Sequence, residues 1–251
     1  MRVEIEPGVR LYFDVEGLGL VPGADAGAPF REKPTPVLLH GGPGMDHTGW
    51  KPRMSALADL AQIIYFDFSS HSRSDRRPAA EWTLNRWADD IVGLCSALGI
   101  SKPIVLGQSF GGMVAQRYIA RHPQHPRMVI LSSCSPHLGL ERKLAVFESL
   151  GGPRARQVAQ TYWTTPTPAH FDDYLEVCLP LYNPTPQDPA SRAKACFDTA
   201  LLGTWNSAKL PHLHLLPGLA TAFGATGLKT PWPCCAASSP RHPELEHDAA
   251  F

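Results

Sequence analysis

Polar and apolar residues alternate at the start of the chain. Residues 2–6 read Arg-Val-Glu-Ile-Glu, Pro7-Gly8 reads as a turn, and Val9, Leu11, Phe13 and Val15 then alternate with Arg10, Tyr12, Asp14 and Glu16. A period of two marks a strand with one wet face, so this stretch predicts an antiparallel hairpin. After a Gly/Pro/Ala-rich loop over 17–35 the pattern changes. Short continuous apolar runs follow at Pro36-Val-Leu-Leu-His40, Gln62-Ile-Ile-Tyr-Phe-Asp67, Pro103-Ile-Val-Leu-Gly107 and Met128-Val-Ile-Leu131. Such runs suit strands buried on both faces. Between them, 83–98 places Leu84, Trp87, Ile91, Leu94 and Leu98 on one helical stripe, with Gly99 as its stop, and Met113 to Arg121 is amphipathic. Strand–helix alternation predicts an α/β protein with a mostly parallel sheet behind an N-terminal antiparallel hairpin.

The strand signal ends near Pro136. Residues 138–210 read as several short helices separated by Pro-rich turns (Thr165-Pro-Thr-Pro168, Asn183-Pro-Thr-Pro186), a helical cap on a core of 1–137. Residues 211–251 are expected to be an aberrant or truncated end of the core. From 217 onward there is no Val and no Ile, while prolines stand at 217, 231, 233, 240 and 243. Neither a strand nor a strong helix fits that composition. If the final strands are missing, a sheet edge is left open, which invites self-association.

With 251 residues and 43% hydrophobic content, the chain is long and apolar enough to bury a large core. Lys+Arg and Asp+Glu balance at 23 each, so nothing global steers it toward nucleic acid or an anionic membrane. Arg73, Arg76 and Arg77 are expected on a solvated face. The six cysteines, at 95, 134, 178, 196, 234 and 235, show no CxxC pair and read as free thiols. No apolar leader opens the chain, and no run approaches the ~20 residues a membrane helix needs. The expectation is a cytoplasmic protein.

Two glycine-rich segments carry candidate chemistry. Gly107-Gln-Ser109-Phe-Gly111-Gly112 follows a buried strand and opens a helix, the context a G-x-S-x-G nucleophile elbow requires. The serine sits on a sharp turn that exposes its hydroxyl, and small residues are needed where helix and strand meet. His40-Gly-Gly-Pro-Gly44 follows the first buried strand. A serine that attacks a carbonyl needs N–H donors aimed at the oxyanion. The loop offers Gly42, with Gly41 as second candidate, and Phe110 offers the other. His40 is expected to orient the loop. No Lys-Ser/Thr follows the glycines, so the loop does not match a phosphate-binding Walker pattern.

On the motifs at 40–44 and 107–112 and the helical stretch after Ser132, residues 1 to about 216 resemble the proline iminopeptidase branch of the α/β-hydrolase superfamily. That resemblance implies an eight-stranded sheet and no cofactor. It also implies a small peptide, amide or ester substrate, with removal of N-terminal proline as the branch activity and carboxylesterase or lactonase chemistry as alternatives. In the branch, acidic cap residues hold the free amine, and Glu141, Glu148, Asp172, Asp173 and Glu176 are the candidates here.

The chain departs from the family in two places. The usual Asp-x-Arg-Gly-x-Gly-x-Ser is here Asp67-Phe-Ser69-Ser70-His71-Ser72-Arg73-Ser74, with serine in place of the arginine and both glycines. A strained or rearranged loop is expected. The triad order Ser, acid, His also asks for an acid and a histidine after the cap. The tail offers His247 or His242 as base, and Asp248, Glu244 or Glu246 as acid, outside the usual loops. A shifted reading frame is one account: Leu228-Lys-Thr-Pro-Trp232 can be encoded so that a two-base shift yields Glu-Asp-Pro-Met, like the family's acid-bearing loop. A catalytically silent fold is the rival to an active one. His212 and His214 lack a third ligand, so no metal is expected. His71, His122, His125, His137 and His170 are expected to be surface or structural.

Overall fold

The computed structural model describes residues 1–23, 29–136, 139–182, Asp198 and Leu201. Strands β1 (Arg2–Glu6) and β2 (Val9–Glu16) form the antiparallel hairpin, with Val3 opposite Leu11. Within the stretch read as loop, β3 (Leu20–Val21) and β4 (Arg31–Glu32) form a two-stranded ladder. The runs at 36–40, 62–67, 103–107 and 128–131 become β5 (Pro36–Leu39), β6 (Ile63–Phe66), β7 (Ile104–Gln108) and β8 (Met128–Ser132). One six-stranded sheet runs in the order β1-β2-β6-β5-β7-β8. The hairpin joins antiparallel through β2 and β6, and the other pairs are parallel.

Burial explains the continuous runs. Val37, Leu38, Leu39, Ile63, Tyr65 and Phe66 are fully buried, since both faces of the central strands are covered. Helix α1 (Leu84–Ala97) starts at Thr83, whose side chain accepts from the Arg86 N–H. Its stripe of Trp87, Ile91, Leu94 and Cys95 joins the main core. Helix α2 (Phe110–Arg121) follows β7 directly and packs on β7 and α1. At the other end of the sheet, Met128, Ile130 and Leu131 of β8 are exposed, and among the described residues β8 pairs only with β7.

In the cap, α3 (Leu140–Thr164) is two helices that meet at a kink at Gly152 (φ 73°), where the backbone leaves the helical region. Pro153 lies at the start of the second half, where a missing N–H costs little. Helix α4 (Pro168–Val177) begins after the Thr165–Pro168 turn, with Thr167 accepting from the His170 N–H. Leu144, Phe147, Ala155, Ala159, Tyr162, Phe171, Tyr174 and Cys178 form a separate cap core. Trp163 packs against both this cluster and the main one.

The arginine cluster corrects an expectation. Arg77 is buried, paired with Glu6, with Glu81 at 3.4 Å and with Asp90 at 3.4 Å. A guanidinium so surrounded leaves water because carboxylates from three separate elements replace it. Arg73 is half-buried against Asp46 at 2.9 Å. Cys95, Cys134 and Cys178 are free thiols. Among the described residues no helix is long and apolar enough to cross a membrane, and no His/Cys/Asp/Glu group is arranged to hold a metal.

Candidate active site

Ser109 stands alone between β7 and α2 with φ 53° and ψ −116°, and its side chain is exposed. Backbone bonds hold it there: its N–H donates to Ser132 O (3.0 Å) and its carbonyl accepts from Met113 N (3.2 Å). The flanking glycines are steric requirements. A Cβ on Gly107 would lie 2.6 Å from the Gly111 carbonyl carbon, and one on Gly112 2.6 Å from Cys134 Cβ. A Cβ on Gly111 would lie 2.7 Å from His40 O and closer still to Leu39 O. The helix, the strand and the loop after β5 therefore meet at backbone distance. Phe110 opens α2, and the first N–H groups of a helix point out along its axis with the positive end of its dipole.

The loop after β5 crosses this turn. A Cβ on Gly41 would lie 3.9 Å from Ser109 Cβ. Gly42 (φ 131°) and Gly44 (φ 82°) adopt backbone angles that L side chains rarely reach. His40 sets the loop's orientation. Its Nε2 accepts from Phe68 N–H (3.3 Å), so its Nδ1 carries the proton and donates to Gly41 O (2.7 Å). Burial pushes its pKa below the ordinary value, which keeps this neutral tautomer. In a planar trans peptide the C=O and N–H point in opposite directions. With Gly41 O fixed on His40, the N–H of Gly42 is turned away from that ring.

A polar brace supports the loop from below. Asp67 is fully buried and accepts from His47 N (3.0 Å), His47 Nδ1 (2.7 Å) and Arg73 N (3.3 Å). Burial opposes its ionisation, but the side-chain and backbone hydrogen bonds from His47 help hold the carboxyl below the usual range. Ser74 Oγ donates to Asp67 O (2.6 Å) and accepts from Tyr12 N (2.9 Å). The expected strain in the serine-substituted loop is present: Ser70 has φ 67° and Ser72 φ 42°. Ser70 Oγ at least accepts from Arg77 N (2.9 Å). Ser72 has less compensation, a 3.2 Å bond from the Arg73 guanidinium. Ser72→Gly is therefore expected to raise the unfolding free energy by ~1 kcal/mol in a urea titration.

Beneath the loop lies a carboxylate of opposite behaviour. Asp90 is buried, which pushes its pKa up to about 6 despite the Ser69 and Arg77 bonds. The folded state then holds this proton more tightly than the unfolded chain. Its contribution is full below the unfolded value near 3.8 and is lost as pH rises through about 6. Asp90→Asn is expected to remove up to ~3 kcal/mol of stability loss between pH 4 and 7, as read from denaturation midpoints at several pH values.

Two neighbours carried no sequence signal. His71 is fully buried and stacks on Phe110 at 6.0 Å. Burial pushes its pKa down to about 3, Nδ1 bonds Ser69 O, and Nε2 has no partner. The reading of His71 as structural therefore places it under the elbow. Asp198 donates its N–H to Gly44 O (2.7 Å) and pairs with Arg76 (2.6 Å), so a residue from the stretch read as cap touches the loop after β5.

The structure thus brings Ser109, Gly41, Gly42, Phe110, His40, Gly107, Gly111 and Gly112 into one place. His242, His247, Asp248, Glu244 and Glu246 lie outside the described residues. Of the cap acids, Glu141 and Glu148 are exposed and both pair with Arg156. Asp172, Asp173 and Glu176 are exposed on α4.

Residues 35–150 match the family described as alpha/beta hydrolase fold. A proline iminopeptidase of Pestalotiopsis fici is 35% identical over 109 residues, which is 42% of this chain and 38% of the relative. A 2-hydroxymuconate semialdehyde hydrolase of a Pseudomonas species is 33% identical over 97 residues, 38% of this chain and 34% of the relative. The crystal structure of the proline iminopeptidase of Mycobacterium smegmatis superposes with a TM-score of 0.55 at 24% identity, covering 77% of this chain and 64% of that one. The chain is an α/β-hydrolase-fold protein. Within that fold its core resembles the proline iminopeptidase branch. The match spans less than half the length of these curated relatives.

Proposed function

We propose that the protein is a serine hydrolase of small amides or esters, working through an acyl-enzyme on Ser109. The carrying observation is the exposed Ser109 at φ 53° under the Gly41 loop. In this reading Ser109 Oγ bonds to the substrate carbonyl carbon and its proton passes to a histidine base. The carbonyl oxygen takes the negative charge and is met by the N–H groups of Gly42, or Gly41, and Phe110. Collapse expels the amine or alcohol, which takes the proton, and water then hydrolyses the ester. His247 or His242, with Asp248, Glu244 or Glu246, are the base and acid the sequence offers. His40 does not serve as base, because both its nitrogens are engaged in holding the loop.

Removal of N-terminal proline is the activity that the resemblance suggests. An ester-directed reading is favoured by one observation: the candidate amine-holding acids Glu141, Glu148, Asp172, Asp173 and Glu176 are all exposed, two of them already paired with Arg156. Fluorophosphonate labelling tests the shared chemistry. Labelling at Ser109 that vanishes in Ser109→Ala supports an activated serine. Folded protein that resists the probe overturns the proposal in favour of a silent hydrolase fold. Comparing a prolyl anilide with a short acyl ester then separates the two substrate classes.

A further inference from the structure

Among the described residues the non-glycine positions with positive φ are all serine: Ser70 (67°), Ser72 (42°), Ser109 (53°) and Ser133 (49°). In that region an L side chain crowds its own backbone, so something in the fold must hold it there. Ser70 and Ser72 offset the strain within their own loop, by accepting from Arg77 N (2.9 Å) and from the Arg73 guanidinium (3.2 Å). The hydroxyls of Ser109 and Ser133 make no hydrogen bond among the described residues, and both residues are exposed. These two are also neighbours. Strands β7 and β8 run parallel with Gln108 opposite Ser132, so the chain leaves both strands side by side, at Ser109 and Ser133. The carbonyl that accepts the Ser109 N–H at 3.0 Å belongs to Ser132, the residue peptide-bonded to Ser133. Because the sheet order is β5-β7-β8, Ser109 has the Gly41–Gly42 loop on one side and Ser133 on the other.

We infer that Ser133 is a substrate-contacting residue whose hydroxyl donates a hydrogen bond to the leaving-group oxygen or nitrogen, an inference that rests on the hydrolase reading. A carbonyl carbon bonded to Ser109 Oγ is tetrahedral. With its oxygen turned to the loop after β5, another substituent faces β8. Of the two that remain, the leaving group attaches through a heteroatom in every ester and amide, so it brings an acceptor to an exposed, unengaged donor. On collapse, the bond from carbon to that heteroatom breaks and its electron pair passes to the leaving atom. The protonated base supplies the proton there. Ser133 keeps its own, and its hydrogen bond strengthens as charge develops on the leaving atom. The positive φ turns the chain out of β8 as it does out of β7 at Ser109, so both hydroxyls are presented at the same end of the sheet.

Values of kcat/KM for phenyl butyrate and p-nitrophenyl butyrate, measured on the full chain and on Ser133→Ala, test the assignment. The two esters have nearly the same shape, but phenolate keeps most of its charge on oxygen whereas p-nitrophenolate spreads it into the nitro group. Ser133→Ala is expected to lower the phenyl value about tenfold, the size of one hydrogen bond, and the p-nitrophenyl value by a smaller factor. A displaced elbow would lower both alike. Ser133→Gly is expected to repeat the unequal loss while raising the urea midpoint, since glycine accepts φ 49° without strain. A loss on the p-nitrophenyl ester that equals or exceeds the loss on the phenyl ester, or no loss on either, overturns the role of Ser133 and leaves the hydrolase reading standing. A parent chain that takes up no fluorophosphonate and turns over neither ester overturns both.

Discussion

Ser109→Ala is expected to lower ester turnover by about six orders of magnitude, as loss of a catalytic serine does elsewhere, and to leave stability within ~1 kcal/mol of the parent. The two expectations rest on different atoms. The residue is exposed and its hydroxyl caps no helix N–H, so its removal costs no hydrogen bond among the described residues. The backbone bonds to Ser132 O and from Met113 N involve atoms that alanine retains. Ser109→Gly makes the trade visible. It is equally inert, but φ 53° with ψ −116° is unstrained for glycine, so ~1–3 kcal/mol of stability is expected in return. Paired measurements of kcat and urea midpoint on the three proteins check this. Alanine retaining the rate within tenfold would place the nucleophile elsewhere.

The second large effect is expected at Gly111. Alanine there would set a methyl 2.7 Å from His40 O, and nearer to Leu39 O, on one side of α2. Both obstacles are backbone, so no rotamer change relieves the overlap, and helix and strand must part. A loss of ~3 kcal/mol or more is expected. Whatever protein still folds is expected to label ~100-fold more slowly, because the serine and the oxyanion loop are displaced together. Gly99→Ala is the control. It also has positive φ (69°) but nothing within 4 Å, so only ~1 kcal/mol is expected. Denaturation and labelling rate on both variants separate steric overlap from backbone strain.

Most of the sheet was legible from local pattern. The four buried runs and the 83–98 stripe became β5 to β8 and α1 because burial on two faces leaves an unambiguous signature. The elbow was legible because glycine is needed at Gly107 and Gly111 for reasons contained within a few residues. The failures share a physical cause. Arg77 reads as a surface cation until Glu6 and Asp90, on other elements, are folded against it. His71, expected to be surface or structural, is settled as structural only when Phe68, Trp87 and Phe110 close around it. The candidate base and acid lie beyond the described residues, so the sequence remains their only witness.

The brace under the oxyanion loop begins far from the chemistry. The backbone N–H of Tyr12 meets Ser74, its ring stacks on His47 at 5.3 Å, and the Arg73 guanidinium sits over that ring. An edge hairpin that touches no substrate is thereby wired, through Asp67, to the peptide that would face the oxyanion. Anyone evolving the proposed hydrolase activity in the laboratory should not restrict libraries to residues near Ser109: substitutions at position 12 are where gains and losses in rate, unaccompanied by changes in substrate preference, would surface.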